Sequence, residues 1–480
     1  MRLHIVRLLL MTLIVLPAVT SCYNYDQEES VVDSDPAANY INVTISVSAS
    51  DNAFTRAIPN GGEYGDGTED ANDRENEVKN ITLIFYQDAA GINTTNENAE
   101  VVSVLRYAVR PMTDNDKPTI HNHKANEPSG YDGKEVLYTT GNQKLEGTLL
   151  EKNKTYKMLV VANTFVNVNI GDKIKNVRDK LASDVFNGSG IGINATDFVM
   201  ASETEAEVTM NDPDDVEITS NETSMIYYFP CIHIERLAAR IDYCTKGAVY
   251  DSNYNGYKYN LGLTDNDGFC VITKVIPFNI YNGQEYLFKR VRNNWTDETP
   301  AITYLGDEST TNYVVDPKTA NKDNSNTEQP VYLNPIAEMS SIYTQTMSSL
   351  SDGQTFIDDN GYNNVIIAYP KENTLMPSSY LKKYATGIAF EAKYYASASA
   401  TPVTRFYYHY LRHQGELSTG DYQAHQWDDL SDTEYCSLPM NYGVVRNNIY
   451  RISVKVNQQG LQFFIKVKKW DEFMHDIIYM

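Results

Sequence analysis

Ile41-Asn42-Val43-Thr44-Ile45-Ser46-Val47-Ser48 alternates apolar and polar residues without a break. A period of two puts Ile41, Val43, Ile45 and Val47 on one face of an extended chain and Asn42, Thr44, Ser46 and Ser48 on the other. The spacing predicts a half-buried β-strand with its aliphatic face on a core. Phe54-Thr55-Arg56-Ala57-Ile58-Pro59 follows, and then a loop holding Gly61, Gly62, Gly65 and Gly67. Loop chemistry of this kind exposes backbone to proteases, so a self-contained amphipathic strand stands just upstream of a basic cleavage position.

The same grammar runs down the chain. Val78 to Tyr86, Val101 to Val109 and Phe198 to Ser202 read as strands, and Tyr156 to Thr164 is apolar through its centre, as a strand covered on both faces would be. Further strands are expected at Ile232–Tyr243, Val271–Phe278, Glu285–Val291, Asn364–Tyr369, Thr386–Tyr394, Arg405–Leu411, Asn448–Val456 and Leu461–Trp470. One helix is expected: Asp172 caps it, Ile174, Val177, Leu181 and Val185 form its stripe, and Asn187-Gly188 ends it. Asn211 to Asn221 and Asp307 to Gln329 read as polar surface loops. The fold class is therefore all-β, mainly antiparallel, with one or few short helices. Two tandem β-sandwiches meeting near residue 225 suit this order of elements, and no repeat of fixed period points to a solenoid or propeller.

The chain has 480 residues, 42% hydrophobic and 21% charged, too apolar for disorder and long enough for two or three domains. Its formal net charge of -23 repels phosphate backbones and argues against nucleic acid as a partner. Thirty-six Tyr against 3 Trp, with few Leu-rich helical stretches, point to a β-rich exported protein.

Residues 1–22, MRLHIVRLLLMTLIVLPAVTSC, have a basic start and an apolar run from Leu8 to Val19 that is shorter than the ~20 residues a membrane helix needs. The run ends in Val19-Thr20-Ser21-Cys22, which resembles a bacterial lipobox, making Cys22 the candidate lipidation site. The acidic stretch 23–36 reads as a tether. Cys231, Cys244, Cys270 and Cys436 remain, an even number in an oxidising compartment; their spacing leaves both disulfides and buried free thiols open.

Chemistry-bearing motifs are scarce. His409 and His413 stand four apart with Tyr410 where a zincin has Glu, inside a strand-like run. His121 and His123 lack a third ligand at useful spacing. Asp265-Asn266-Asp267-Gly268 lacks the first oxygen ligand an EF-hand needs, since Leu263 occupies that position, and no Glu stands six residues after the Gly, so it reads as a hairpin turn. No phosphate-binding loop, nucleophile elbow or CxxC occurs. The sequence gives no reason to expect an enzyme, a cofactor or a metal.

Met158 to Thr164, Ile234 to Ile241, Val275 to Asn279, Lys371 to Thr374 and above all Tyr442-Gly443-Val444-Val445-Arg446-Asn447-Asn448-Ile449-Tyr450-Arg451 resemble, in family order, the fimbrillins of Bacteroidales, the FimA-type major subunits of type V pili. That resemblance implies two transthyretin-like β-sandwich domains, export as a lipoprotein to the outer membrane through Cys22, and a cut between Arg56 and Ala57 by an arginine-specific surface protease. The chain would then divide into a signal peptide (1–22), a propeptide with a detachable first strand (23–56), an N-terminal domain (57–224) and a C-terminal domain (225–480). Loss of Ile41, Val43, Ile45 and Val47 would open a slot for a strand from the next subunit. The candidate donor is 461–480, where Phe463, Ile465 and Val467 alternate and Phe473, Ile477 and Ile478 continue beyond Trp470, which reads as a core-capping aromatic. Arg446 and Asn447 read as a turn or bulge setting the register of the last hairpin.

The functional expectation is a pilus subunit polymerised by donor-strand exchange, supporting adhesion and biofilm formation, with other pilin subunits, the protease and host or bacterial surface ligands as partners. The alternative is a monomeric surface lipoprotein that keeps its first strand and binds glycan or a host ligand, or a pilus anchor or tip subunit.

Overall fold

The alternation at 41–48 becomes a strand in two pieces, Asn39–Asn42 and Thr44–Ser46. The computed structural model describes residues 39–47, 68–87, 97–113, 137–145, 150–292, 302–303, 313–317, 332–334, 355–357, 361–374, 384–411, 443–457 and 460–471, apart from 152, 189–190, 193, 203–204, 211–215, 219–224, 230–231 and 263–266. Strands dominate, and the only helices among these residues are two short ones, Asp73–Asn76 and Ile174–Arg178. The expected all-β class holds, and most pairs are antiparallel.

Two sheet systems share the chain. In the first, Val101–Ala108, Asn80–Tyr86, Thr155–Ala162, Met200–Ser202, Ile232–Arg236, Thr44–Ser46, Leu137–Thr139 and Arg110–Pro111 lie side by side in that order. A four-stranded sheet of Val216–Ile218, Met225–Tyr228, Asn39–Asn42 and Gln143–Lys144 continues it. Leu83, Ile84, Phe85, Val160, Val161 and Ile234 pack the core of this system with the aliphatic side chains of the first strand. In the second, Arg240–Cys244 lies between Asn363–Ala368 and Asn448–Val456, and a five-stranded sheet runs from Val249–Asp251 to Val403–Tyr410. Ile241, Tyr243, Ile272, Phe390 and Ile452 belong to its core.

The expected strand over 232–243 is broken in the middle, and that break joins the two systems. Leu237, Ala238 and Ala239 are fully buried, and their backbone groups bond outward: Leu237 N–H to Val199 O at 3.0 Å, Ala239 N–H to Pro370 O at 2.8 Å, and Asn447 N–H to Ala238 O at 2.9 Å. The division expected between 224 and 225 falls inside an antiparallel pair, Val216–Ile218 with Met225–Tyr228. That pair also places a strand in the stretch 211–221, read as loop, because its acidic residues hide a short β-former run.

The expected helix over 172–187 is cut short to Ile174–Arg178. Asp172 accepts from Asn169 N–H at 2.9 Å and shapes the preceding turn instead of capping the helix. Leu181–Ala182 then pairs with Glu285–Tyr286, so tertiary strand pairing overrides a helical spacing only five residues deep. The Gly256–Asn260 and Phe269–Phe278 strands pair antiparallel, with Asn260 opposite Phe269, while Asp265 and Asn266 of the expected hairpin turn lie outside the described residues.

Candidate assembly slot

The first strand is buried on both faces, which corrects the half-buried reading. Ile41, Val43, Ile45 and Val47 are fully buried in the first core, while Asn42, Thr44 and Ser46 are 6%, 4% and 0% exposed. Small hydroxyl and amide side chains look solvent-facing in a sequence yet bury readily when their polar atoms find partners. Asn42 does so: its Oδ1 accepts from Thr139 Oγ1 at 2.8 Å and its Nδ2 donates to Asn142 Oδ1 at 3.0 Å. On the same face Tyr40 packs on Ile226.

Both edges of the strand are paired. On one side it runs parallel to Met225–Tyr228 and then to Ile232–Arg236, with Tyr40 opposite Ile226 and Ile45 opposite Ile232. On the other it runs antiparallel to Gln143–Lys144 and Leu137–Thr139, with Ile45 opposite Tyr138. At Val43 the regular ladder breaks and Thr140 bridges it. Val43 N–H donates to Thr140 Oγ1 at 3.0 Å, and Thr140 N–H donates to Val43 O at 3.1 Å. Gly141 turns the wall at this point with φ 60, a left-handed conformation that glycine adopts at little cost. Leu145 N–H to Asn39 O at 2.8 Å and Phe229 N–H to Asn42 O at 3.1 Å complete the seam.

Of these walls, Ile232–Arg236 was expected as a strand, whereas Leu137–Thr139, Gln143–Lys144 and Met225–Tyr228 were missed by sequence reading. Leu137-Tyr138-Thr139-Thr140 is a short β-forming run stopped by Gly141-Asn142, a signal available in the sequence. Its partnership with residues almost a hundred positions away is not. Without the first strand the slot would present two facing rows of backbone N–H and C=O groups over an apolar floor. That is the arrangement an added strand satisfies.

Cys22, Arg56, Ala57, Phe473, Ile477 and Ile478 lie outside the described residues, as do Cys231, Cys436, His121, His123 and His413. The Leu461–Asp471 strand pairs with Asn448–Val456 from Leu461 to Lys469, carrying the backbones of Phe463, Ile465 and Val467 in register, and Ile465 is buried in the second core. Its end runs parallel to Thr68–Asp70. Cys244 and Cys270 are buried free thiols. His409 sits on the edge strand Val403–Tyr410 opposite Ile388.

Arg446 and Asn447 form a turn directly before Asn448–Val456, the first strand of the last hairpin, and are structural there in a further way. Fully buried Arg446 donates to Glu372 Oε2 at 2.7 Å, Tyr286 O at 2.6 Å and Leu287 O at 3.2 Å. Asn447, at φ 55, accepts from Arg236 Nη1 at 3.0 Å. They belong to a buried ionic cluster where the sheet systems join. Arg240 forks onto both oxygens of Asp242 at 3.0 Å and reaches Glu75 Oε2 at 2.9 Å, and Arg451 reaches Asp242 at 3.2 Å. Glu75 comes from the short helix, where it forms a capping box with Asn72, and also accepts from Tyr369. Burial works against the Arg240 charge, but Asp242 and Glu75 outweigh it and raise its pKa. Glu285 beside them is pushed well above the usual carboxyl range by burial and by Glu372, against the pull of Arg446 and Lys371.

No family model and no curated protein matches the chain. Solved structures do. The tip fimbrial protein Mfa3 of Porphyromonas gingivalis is 12% identical, with 90% of this chain and 100% of that chain covered and a TM-score of 0.40. A fimbrilin (fimA) of Porphyromonas gingivalis W83 is 13% identical, covering 91% and 98%, with a TM-score of 0.39. A fimbrial assembly protein of Parabacteroides distasonis ATCC 8503 is 12% identical, covering 90% and 98%, with a TM-score of 0.35.

Proposed function

We propose that this chain is a structural subunit of a type V cell-surface fimbria, with no enzymatic role, polymerised by exchange of its first strand. One observation carries the reading: a single terminal strand, 39–47, fills a slot paired on both edges and buried on both faces. In this scheme the precursor is exported as a lipoprotein through Cys22, and an arginine-specific protease cuts between Arg56 and Ala57. The strand with Ile41, Val43, Ile45 and Val47 then leaves, and a neighbour's strand takes the slot. Four buried aliphatic side chains are worth roughly 6–12 kcal/mol before entropy, so a donor of like quality holds subunits together without a covalent link. Donor and slot are different surfaces, and a heterologous contact of this kind propagates as a filament.

Within the candidate donor 461–480, this proposal takes the part beyond Asp471, with Phe473, Ile477 and Ile478, as the strand that is donated. Withdrawing 461–471 would strip the partner strand Asn448–Val456 and expose Ile465, whereas the last nine residues carry apolar groups of their own at Phe473, Met474 and 477–480.

N-terminal sequencing of protein sheared from cells, with gels run unboiled, tests the scheme. Ala57 as first residue together with a ladder of oligomers is expected, and removal of 472–480 should abolish the ladder while leaving the monomer folded. Assembled material that still begins at lipidated Cys22 and keeps its own strand in the slot would overturn it.

A further inference from the structure

The first strand is held in its slot by apolar and by polar contacts, and only the polar ones tell one register from another. Ile41, Val43, Ile45 and Val47 are fully buried and of similar size. A slip of one residue would turn all four out of the core, but a slip of two, ~6.8 Å along the strand, keeps aliphatic side chains over the same floor. Apolar packing therefore discriminates weakly among strands that alternate, and among the registers of any one of them.

The wall residues Thr139 to Asn142 supply the discrimination. Thr139, opposite Thr44, is 1% exposed. Its Oγ1 accepts from Gly141 N–H at 3.0 Å and donates its own proton to Asn42 Oδ1 at 2.8 Å. Asn42 Nδ2 in turn donates to Asn142 Oδ1 at 3.0 Å. One residue along, Thr140 Oγ1 donates to Gly141 O at 2.9 Å, which leaves its lone pairs for Val43 N–H at 3.0 Å. Both hydroxyls are thus tied to the backbone of the wall, and the hydrogen-bonding capacity each has left is directed into the slot.

A strand with an apolar side chain at the Asn42 position would leave the Thr139 proton buried and unpaired. Orphaning a buried donor costs more than an ordinary hydrogen bond contributes. A two-residue slip carries a similar penalty, because it sets Tyr40 or Thr44, neither of which has an amide, where Asn42 stands.

We propose that Asn42, Thr139 and Asn142 form a latch that fixes the register of the strand and selects its replacement: the slot admits strands carrying Asn or Asp beside aliphatic residues and rejects strands that are apolar at that position. The inference rests on strand exchange as proposed and names the kind of partner strand that exchange admits. Asn supplies an acceptor and a donor. Asp supplies the acceptor, and half-buried Asn142 pairs with it by turning its amide around. In the tail taken as the donated part, Asp476 is the one residue of this kind, with Ile477 beside it. A single buried amide fixes register in coiled coils by the same logic.

Two measurements test the latch. In the uncut chain, urea unfolding of Asn42→Leu, Thr139→Val and the double variant gives the coupling between the two side chains. Asn42→Leu should lower the folding constant about tenfold or more, and by clearly less in the Thr139→Val background, where no hydroxyl is left to orphan. Equal losses in both backgrounds would overturn the latch. In the protein cut at Arg56, a fluorescein-labelled peptide of residues 37–48 is added in excess and its uptake followed by anisotropy. The wild-type peptide and its Asn42→Asp form should enter, and the Asn42→Leu form should bind about tenfold or more weakly. Entry of the Asn42→Leu peptide as readily as the wild type would overturn the selection while leaving strand exchange standing. If none of the peptides enters, exchange has failed and the choice of partner with it; the unfolding cycle, which needs no exchange, still decides whether the latch exists.

Discussion

Ile45→Ala separates a strand that is permanent architecture from one that leaves. Ile45 is fully buried, between Ile232 on one edge and Tyr138 on the other. Truncating a buried isoleucine removes its transfer energy and leaves a cavity in walls that relax only partly, a cost of about 2–5 kcal/mol. The uncut protein should lose that much in urea unfolding, seen as a lower midpoint at unchanged slope. After the cut at Arg56 and release of the strand, wild type and variant are the same molecule, and their unfolding curves should superimpose. A variant that stays as much less stable than the wild type after the cut as before it would show that the strand remains in its slot, refuting exchange. No effect on the uncut form would refute its place in the core. Thr44→Lys supplies a second check, because a truly solvent-facing position would accept lysine within about 0.5 kcal/mol. Thr44 is 4% exposed, so a large loss is expected.

Asp242→Ala should cost about 3–5 kcal/mol in thermal unfolding, since it strips Arg240 and Arg451 of a shared carboxylate inside the protein. Glu285→Gln should alter the pH dependence of stability. The folded-state pKa lies above the unfolded value near 4.5, so from about that pH upward the folded form holds more protons and stability falls as pH rises toward the folded value. The variant should lack this fall and gain on the wild type through that window, with no difference below it; denaturant midpoints across pH read this directly. Burial pushes the Cys270 thiol up to about 12, so alkylation followed by mass spectrometry should leave Cys270 unmodified in the native protein and modify it only on unfolding.

Elements whose stability is local or whose burial is total were legible. Asn80–Tyr86, Thr155–Ala162, Phe269–Phe278, Gly387–Tyr395 and Asn448–Val456 are long runs of β-formers, and a continuous apolar centre in a strand has few other meanings. The capping box Asn72 to Glu75 was not read from the sequence, and its helix has only four residues. What stayed hidden was long-range. Arg236 and Arg240 fall in an expected strand and Arg446 in an expected turn, but that all three are buried was not legible, because amides, carboxylates and carbonyls arrive from elements over 150 positions away. The slot divides the same way. The alternation at 41–47 announces a strand, but whether Thr44 and Ser46 face water depends on walls that only the folded chain brings together.

The two halves of the region around Arg56 are wired differently, and this bears on how a strand could leave without unfolding the protein. Upstream, 39–47 contacts the first sheet system through backbone ladders and aliphatic side chains, with polar contacts at Asn42 and Val43 that any strand offering similar groups could replace. Downstream, Thr68–Asp70 pairs with the end of Leu461–Asp471. Glu75 then holds Arg240, and Arg236 donates to Glu75 O at 2.9 Å and to Asn76. Breaking a buried ion pair by removing one partner costs about 3–5 kcal/mol, so the segment after the cut stays clamped to the junction of the sheets. In the proposed scheme the cut would fall, in the sequence, between a replaceable strand and an irreplaceable clamp. Detachment at that point takes away a ladder that a neighbour can rebuild and leaves in place the ionic contacts that no neighbour supplies.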